Sequence, residues 1–176
     1  MSTGALSNRA DLRKLATHGA LVEARISLNT LPRVAEAVLS EETEIDVELQ
    51  FGRDEQGLYV IKGDVNCSVD MTCQRCLQAV SVDVSSHFNL GVVWDDEGAK
   101  QLPSHLEPLV ASAEPFDLHV LVEDELLLSL PFSPYHDIDV CQGGEYQQQQ
   151  SAVEAATAEP QRENPFAVLE QLKRKN

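Results

Sequence analysis

Residues 44–51, EIDVELQF, alternate without a break: Ile45, Val47, Leu49 and Phe51 fall on one side and polar or charged residues on the other. A period of two with one apolar face is the signature of a half-buried antiparallel strand. After the turn GRDEQG, residues 58–71, LYVIKGDVNCSVDM, read as one or two further strands, with Gly63 the expected bend. Alternation resumes over 79–94, with Val80, Val82 and Val84 and then Phe88, Leu90, Val92 and Trp94. Residues 21–28, LVEARISL, have enough branched side chains for another strand.

Helical spacing appears on either side of these strands. Residues 9–17 predict a short helix. In TLPRVAEAVLS, Thr30 is placed to cap and Pro32 falls in the first turn, while Leu31, Val34, Ala35 and Val38 share a face. Residues 117–130, DLHVLVEDELLLSL, predict a helix capped by Asp117, with Leu118, Leu121, Val122 and Leu128 inward. Residues 95–116 read as acidic, proline-bearing and irregular, and 131–144 as a loop. The expectation is one α+β domain over about residues 1–141. Its antiparallel sheet is either open or closed into a barrel and is flanked by helices. From 142 to 163 the Gln-, Ala- and Glu-rich composition predicts a disordered acidic linker. Residues 164–176 then predict a short helix, capped by Asn164 and Pro165 and striped by Phe166, Leu169 and Leu172.

Charge changes the picture more than composition does. The formal net charge is −16 over 176 residues. Residues 34–172 hold five basic against 27 acidic side chains, net −22, and the two ends hold eight against two, net +6. An acidic body is a poor general grip for phosphates and suits a basic protein partner; the basic ends are better placed to touch RNA. No apolar run reaches membrane-spanning length and the first residues lack a signal-peptide core, so a soluble cytoplasmic chain with reduced thiols is expected.

The sharpest local motif is TCQRCLQAV at 72–80, in which Cys73 and Cys76 stand two residues apart between two alternating stretches. Two thiolates at this spacing reach one tetrahedral zinc ion, which then needs two more ligands. Cys141 is the obvious third and His136 the candidate fourth, while Cys67 reads as a core thiol. A hairpin turn without metal explains the pair as well and is preferred on spacing alone. A thiol-redox or metal-dependent enzyme using Cys73 and Cys76 is the alternative. It lacks the helix N-terminus and βαβ context that make such thiols reactive. Glu123, Asp124 and Glu125 are consecutive and so fan out around the helix as a solvated face. Glu125 lies nearest the apolar stripe, where it could meet Arg75. The five histidines show no H-x-x-x-H or triad-like spacing, and no glycine-rich phosphate loop or RNA-binding strand motif is present. No catalytic residue is expected.

Taken in order, LPRVAE, CQRCL, VEDELLLSLP, PYHDIDVC and NPFAVLEQLKRK resemble, nearly end to end, the YceD family of large ribosomal RNA subunit accumulation proteins. The resemblance implies a non-enzymatic role in the synthesis, processing or stability of 23S rRNA during large-subunit biogenesis. The partner would be 23S rRNA or its precursor, reached directly or through a basic large-subunit ribosomal protein. It also implies a second cysteine cluster that would complete a zinc site with the first. Here that cluster is reduced to His136 and Cys141.

Overall fold

The computed structural model describes residues 2–3, 6–111 and 115–141; the expected linker 142–163 and terminal helix 164–176 lie outside the described residues. The sheet and its helices belong to one unit, Met1–His136. The alternating segments form the strands that their period dictates: β2 (Leu21–Ser27), β3 (Glu44–Arg53), β4 (Tyr59–Thr72) and β5 (Ala79–Val93). Each pairs antiparallel with the next, and two short strands, β1 (Ser2–Thr3) and β6 (Glu107–Val110), run parallel to β2 and β5 at the edges. The strand order is sequential from β1 to β6, an open sheet with two edges.

One face of the sheet is the core. Ile45, Leu49 and Phe51 of β3 and Ile61 and Val65 of β4 are fully buried there. Three helices meet this core. The first, α1 (Leu12–His18), starts where the Asp11 carboxylate accepts from the Lys14 N–H. It ends at Gly19, whose φ of 61° is the left-handed conformation that glycine adopts without steric cost. The second, α2 (Pro32–Ala37), begins with proline as expected, but Thr30 does not cap it. The Thr30 hydroxyl donates back to the Ser27 carbonyl and closes a 3-10 turn, leaving Leu31 at the cap position with no side-chain bond. The third core helix, α4 (Leu118–Ser129), is capped by Asp117 as its sequence predicts. Its inward residues are Leu118, Leu121, Val122 and Leu126; Leu128, expected inside, is 78% exposed. At 100° per residue Leu126 falls on the stripe of Val122, and Leu128 points away from it.

Between β5 and β6 the segment expected to be irregular carries a short helix, α3 (Asp96–Lys100), capped by the Asp95 carboxylate. A single antiparallel bridge between Ala10 and Phe116 ties the N-terminal stretch to the entry of α4.

The expected bend at Gly63 is also absent, because β4 is one strand of 14 residues. Gly63 faces Phe88 across the ladder, and a Cβ placed there would lie 2.0 Å from the Phe88 ring. Glycine is required here for room: it opens the seat into which the aromatic ring packs. Gly63→Ala should destabilise the protein by about 1–3 kcal/mol, the range for overpacking a filled core. Adding Phe88→Leu should recover part of that loss in urea unfolding, and a fully additive double variant would refute the seat.

Candidate metal centre

The β4–β5 hairpin ends in the cysteine motif. Beyond Thr72 the Cys73 N–H donates to the Gln78 carbonyl (2.9 Å) and the Leu77 N–H returns to the Cys73 carbonyl (2.9 Å). Leu77 takes a φ of 61°, a left-handed conformation that costs a non-glycine residue roughly 1–2 kcal/mol. The tight loop this creates holds Cys73 and Cys76 on one turn.

The chain after α4 is fastened to that turn. The Gln74 N–H donates to the Pro134 carbonyl (2.9 Å), and the Arg75 guanidinium lies over the Tyr135 ring at 5.3 Å from its centroid. His136 then sets one ring nitrogen, Nε2, 2.9 Å from the Ala79 carbonyl and the other, Nδ1, 3.3 Å from Cys76 Sγ. A carbonyl only accepts, so Nε2 carries a proton, and in the tautomer this selects, the Nδ1 lone pair faces the sulfur. A backbone carbonyl fixing the tautomer of a ligating histidine is the usual outer support of a metal site. Of the residues after His136, 137–141 are described and form a turn in which the Val140 and Cys141 amides donate to the Asp137 carbonyl.

The donor atoms of Cys73, Cys76, His136 and Cys141 all lie within 4.8 Å of one another. A tetrahedral zinc ion with Zn–S near 2.3 Å and Zn–N near 2.0–2.1 Å requires ligand atoms about 3.5–3.8 Å apart, and the four stand within about 1 Å of that spacing, a small closure from ligation geometry. Cys73 is fully buried, Cys141 is 5% exposed, and Cys76 and His136 are half-buried. Burial pushes the Cys73 thiol up, but hydrogen bonds from the backbone of Cys76, His136 and Arg75 outweigh it and bring the group down from about 9 to about 5. Those amides hold a thiolate in place, the form that ligates metal. The same thiol has no solvent access for disulfide exchange. Cys67 stays apart from the cluster, packed against the core with its thiol pushed up by burial, as a core thiol should be.

The acidic run on α4 is not a solvated face throughout. Glu123 is 5% exposed and accepts from the Arg33 N–H (2.6 Å) and from Arg33 Nε (2.7 Å), while Asp124 takes Arg33 Nη2 at 2.8 Å. The carboxylate thus joins the start of α2 to α4. Glu125, half-buried, does not hold Arg75; its carboxyl is raised by burial and by the nearby Glu107 and Asp124 carboxylates. Spacing alone picked the wrong glutamate, although LPR and VEDE both stood out in the sequence.

A further arrangement was hidden by spacing: Ser85 Oγ lies 3.2 Å from His87 Nε2, and His87 Nδ1 pairs with Asp64. This is the order of a hydrolytic relay, but Ser85 Oγ donates to Asn66 Oδ1 at 2.7 Å. The surrounding strand amides lie within the β4–β5 ladder, where sheet bonding competes with any role as oxyanion donors.

The fold and the site together define an open α+β sheet whose central hairpin ends in a cysteine turn, with His136 and Cys141 beside Cys73 and Cys76. The chain belongs to the YceD family: the family model described as "Large ribosomal RNA subunit accumulation protein YceD" matches residues 61–173. A curated relative of that name from Haemophilus influenzae is 36% identical over 148 residues, which is 84% of each chain. No solved structure matches the chain.

The depressed thiol sets a pH dependence for the metal-free protein. Between about pH 5 and 9 the unfolded chain holds a proton on Cys73 that the native chain lacks, so stability rises with pH across this window and is lost as pH falls toward 5. Urea unfolding with chelator present should show wild type gaining more stability from pH 5.5 to 8 than Cys73→Ser. Parallel profiles would remove the thiolate.

Proposed function

We propose that this chain is a non-enzymatic factor for 23S rRNA synthesis, processing or stability in large ribosomal subunit biogenesis, acting in the cytoplasm. The observation that carries this reading is its family: a relative 36% identical over most of both chains bears the name of a large ribosomal RNA subunit accumulation protein. The family model spans β4 from its third residue, β5, the cysteine turn, α4 and the residues after it. The non-enzymatic part of the reading is supported by the buried Cys73 and by the competing bonds around Ser85. Among the described residues no helix is long and apolar enough to cross a membrane.

Within this reading Cys73, Cys76, His136 and Cys141 hold a structural zinc ion. Such an ion supplies folding energy by joining segments remote in sequence; four protein ligands leave no open position for a substrate.

Two measurements test the two parts. In cells lacking the protein, 23S rRNA should fall relative to 16S and recover when the chain is restored; unchanged 23S would overturn the role. Protein purified without chelator should carry about one zinc per chain. Cys73→Ser with Cys76→Ser should lose the metal and melt several degrees lower, because a bound structural ion contributes folding energy. Less than a tenth of an equivalent in wild type would refute the site.

A further inference from the structure

The face of the sheet opposite the core carries an ordered pattern of charge. Strand register places Glu23 of β2 opposite Glu48 of β3, Glu48 opposite Asp64 of β4, and Asp64 opposite His87 of β5. Like charges directly opposite one another on adjacent strands destabilise a sheet. One row away the chain solves this problem internally: Arg25 bonds Asp46 at 2.6 Å and reaches Glu44 at 3.5 Å. The Glu23–Glu48–Asp64 row contains no lysine or arginine, and its one basic neighbour in register is His87 at the Asp64 end, so the Glu23–Glu48 repulsion stands.

Shape adds to charge. An open groove of about 550 Å³ runs over this face, lined by Glu23, Arg25, Asp46, Glu48, Asp64 and Asn66 among others. A second groove of about 340 Å³ shares Asp64 and reaches Asn89, whose Oδ1 is shut off from water yet accepts no hydrogen bond. Glu48, Asp64, Arg25 and Asp46 stand exposed, and no described element lies over them. The face thus offers carboxylates in register over an open groove.

We propose that this open face of β2, β3 and β4 is the docking surface for a basic protein segment whose lysines and arginines neutralise the Glu23–Glu48–Asp64 row; the proposal rests on the large-subunit role above, since large-subunit proteins supply the partner. Neighbouring strands are about 4.8 Å apart. Cations at i, i+3 and i+4 of a helix are about 5–6 Å apart and match that spacing when the helix lies across the strands. RNA is repelled by the same row.

The test compares two full-length variants with wild type. The face variant is Glu23→Gln, Glu48→Gln, Asp64→Asn; the control removes equal charge from exposed turns, Glu41→Gln, Glu42→Gln, Glu55→Gln. The immobilised proteins are offered RNA-free protein extracted from purified large ribosomal subunits and, separately, protein-free 23S rRNA. Wild type and control should retain the same basic ribosomal protein. The face variant should bind it roughly tenfold more weakly, the loss expected for three exposed ion pairs. Equal weakening in both variants, or retention of the RNA alone, would overturn the proposal. The two readings fail separately. Unchanged 23S rRNA in cells lacking the protein defeats the role, whereas a 23S defect fully rescued by the face variant defeats the docking surface.

Discussion

The seat of Phe88 over Gly63 fixes the register on which the other features depend. In a ladder with a period of two, a slip of one residue turns every side chain to the opposite face. Gly63 sits among exposed Lys62, Asp64 and Asn66 on one side and buried Ile61 and Val65 on the other. Only with glycine opposite Phe88 does the ring lie within the core face, and only in that register do Asp64 and His87 meet outside. The same register carries 13 consecutive pairs from Val60–Gly91 to Thr72–Ala79, so the turn begins at Cys73 and nowhere else.

That turn then needs partners from the far end of the fold. His136 is 60 residues beyond Cys76, and what delivers it is helix α4, anchored by packing and by Glu123 on Arg33. A buried carboxylate that satisfies both a helix N-terminal amide and a guanidinium holds two elements at a fixed distance. From Leu130 the chain leaves α4, and Pro134 gives its carbonyl to Gln74. Closing a loop of this length costs chain entropy, which grows only slowly with length. The bonds to Gln74 and Ala79 meet part of that cost before any metal binds.

How much of this is written locally explains what could be read from the sequence. Strict alternation exposed β3 and β5, and Asp117 announced α4, because period and capping act within a few residues. The seat at Gly63 reads as a bend in the sequence because the ring that needs the space is 25 residues away. Thr30 looked like a cap because both of its options, the 3-10 turn and the helix, use the same hydroxyl. Strand β6 was invisible, since four residues at a parallel edge carry no period of their own. The four metal-type residues were legible as candidates by chemistry. What singled them out as a set was tertiary: the Ala79 carbonyl that selects the tautomer of His136 has no signature in sequence.

The acidity of the body and the cysteine cluster are separate matters electrically. Three thiolates and a neutral imidazole around a divalent ion would sum to one negative charge, the same charge that the Cys73 thiolate alone gives the metal-free site at neutral pH. Filling the site therefore makes the protein no less acidic, and the ion's contribution is to geometry. Compensation for the carboxylates must come from cations, and the chain spends several of its own elsewhere. Arg13 covers Trp94 at 4.0 Å, Arg53 covers Tyr59 at 4.5 Å, and the two rings meet edge to face. These guanidiniums lie against aromatic faces, where a planar cation stacks well and its stem covers apolar surface. Arg33 and Arg25 are committed to Glu123, Asp124, Asp46 and Glu44. The fold thus uses these arginines for its own assembly, whereas in the outer row Glu23 faces Glu48 and Asp64 meets His87.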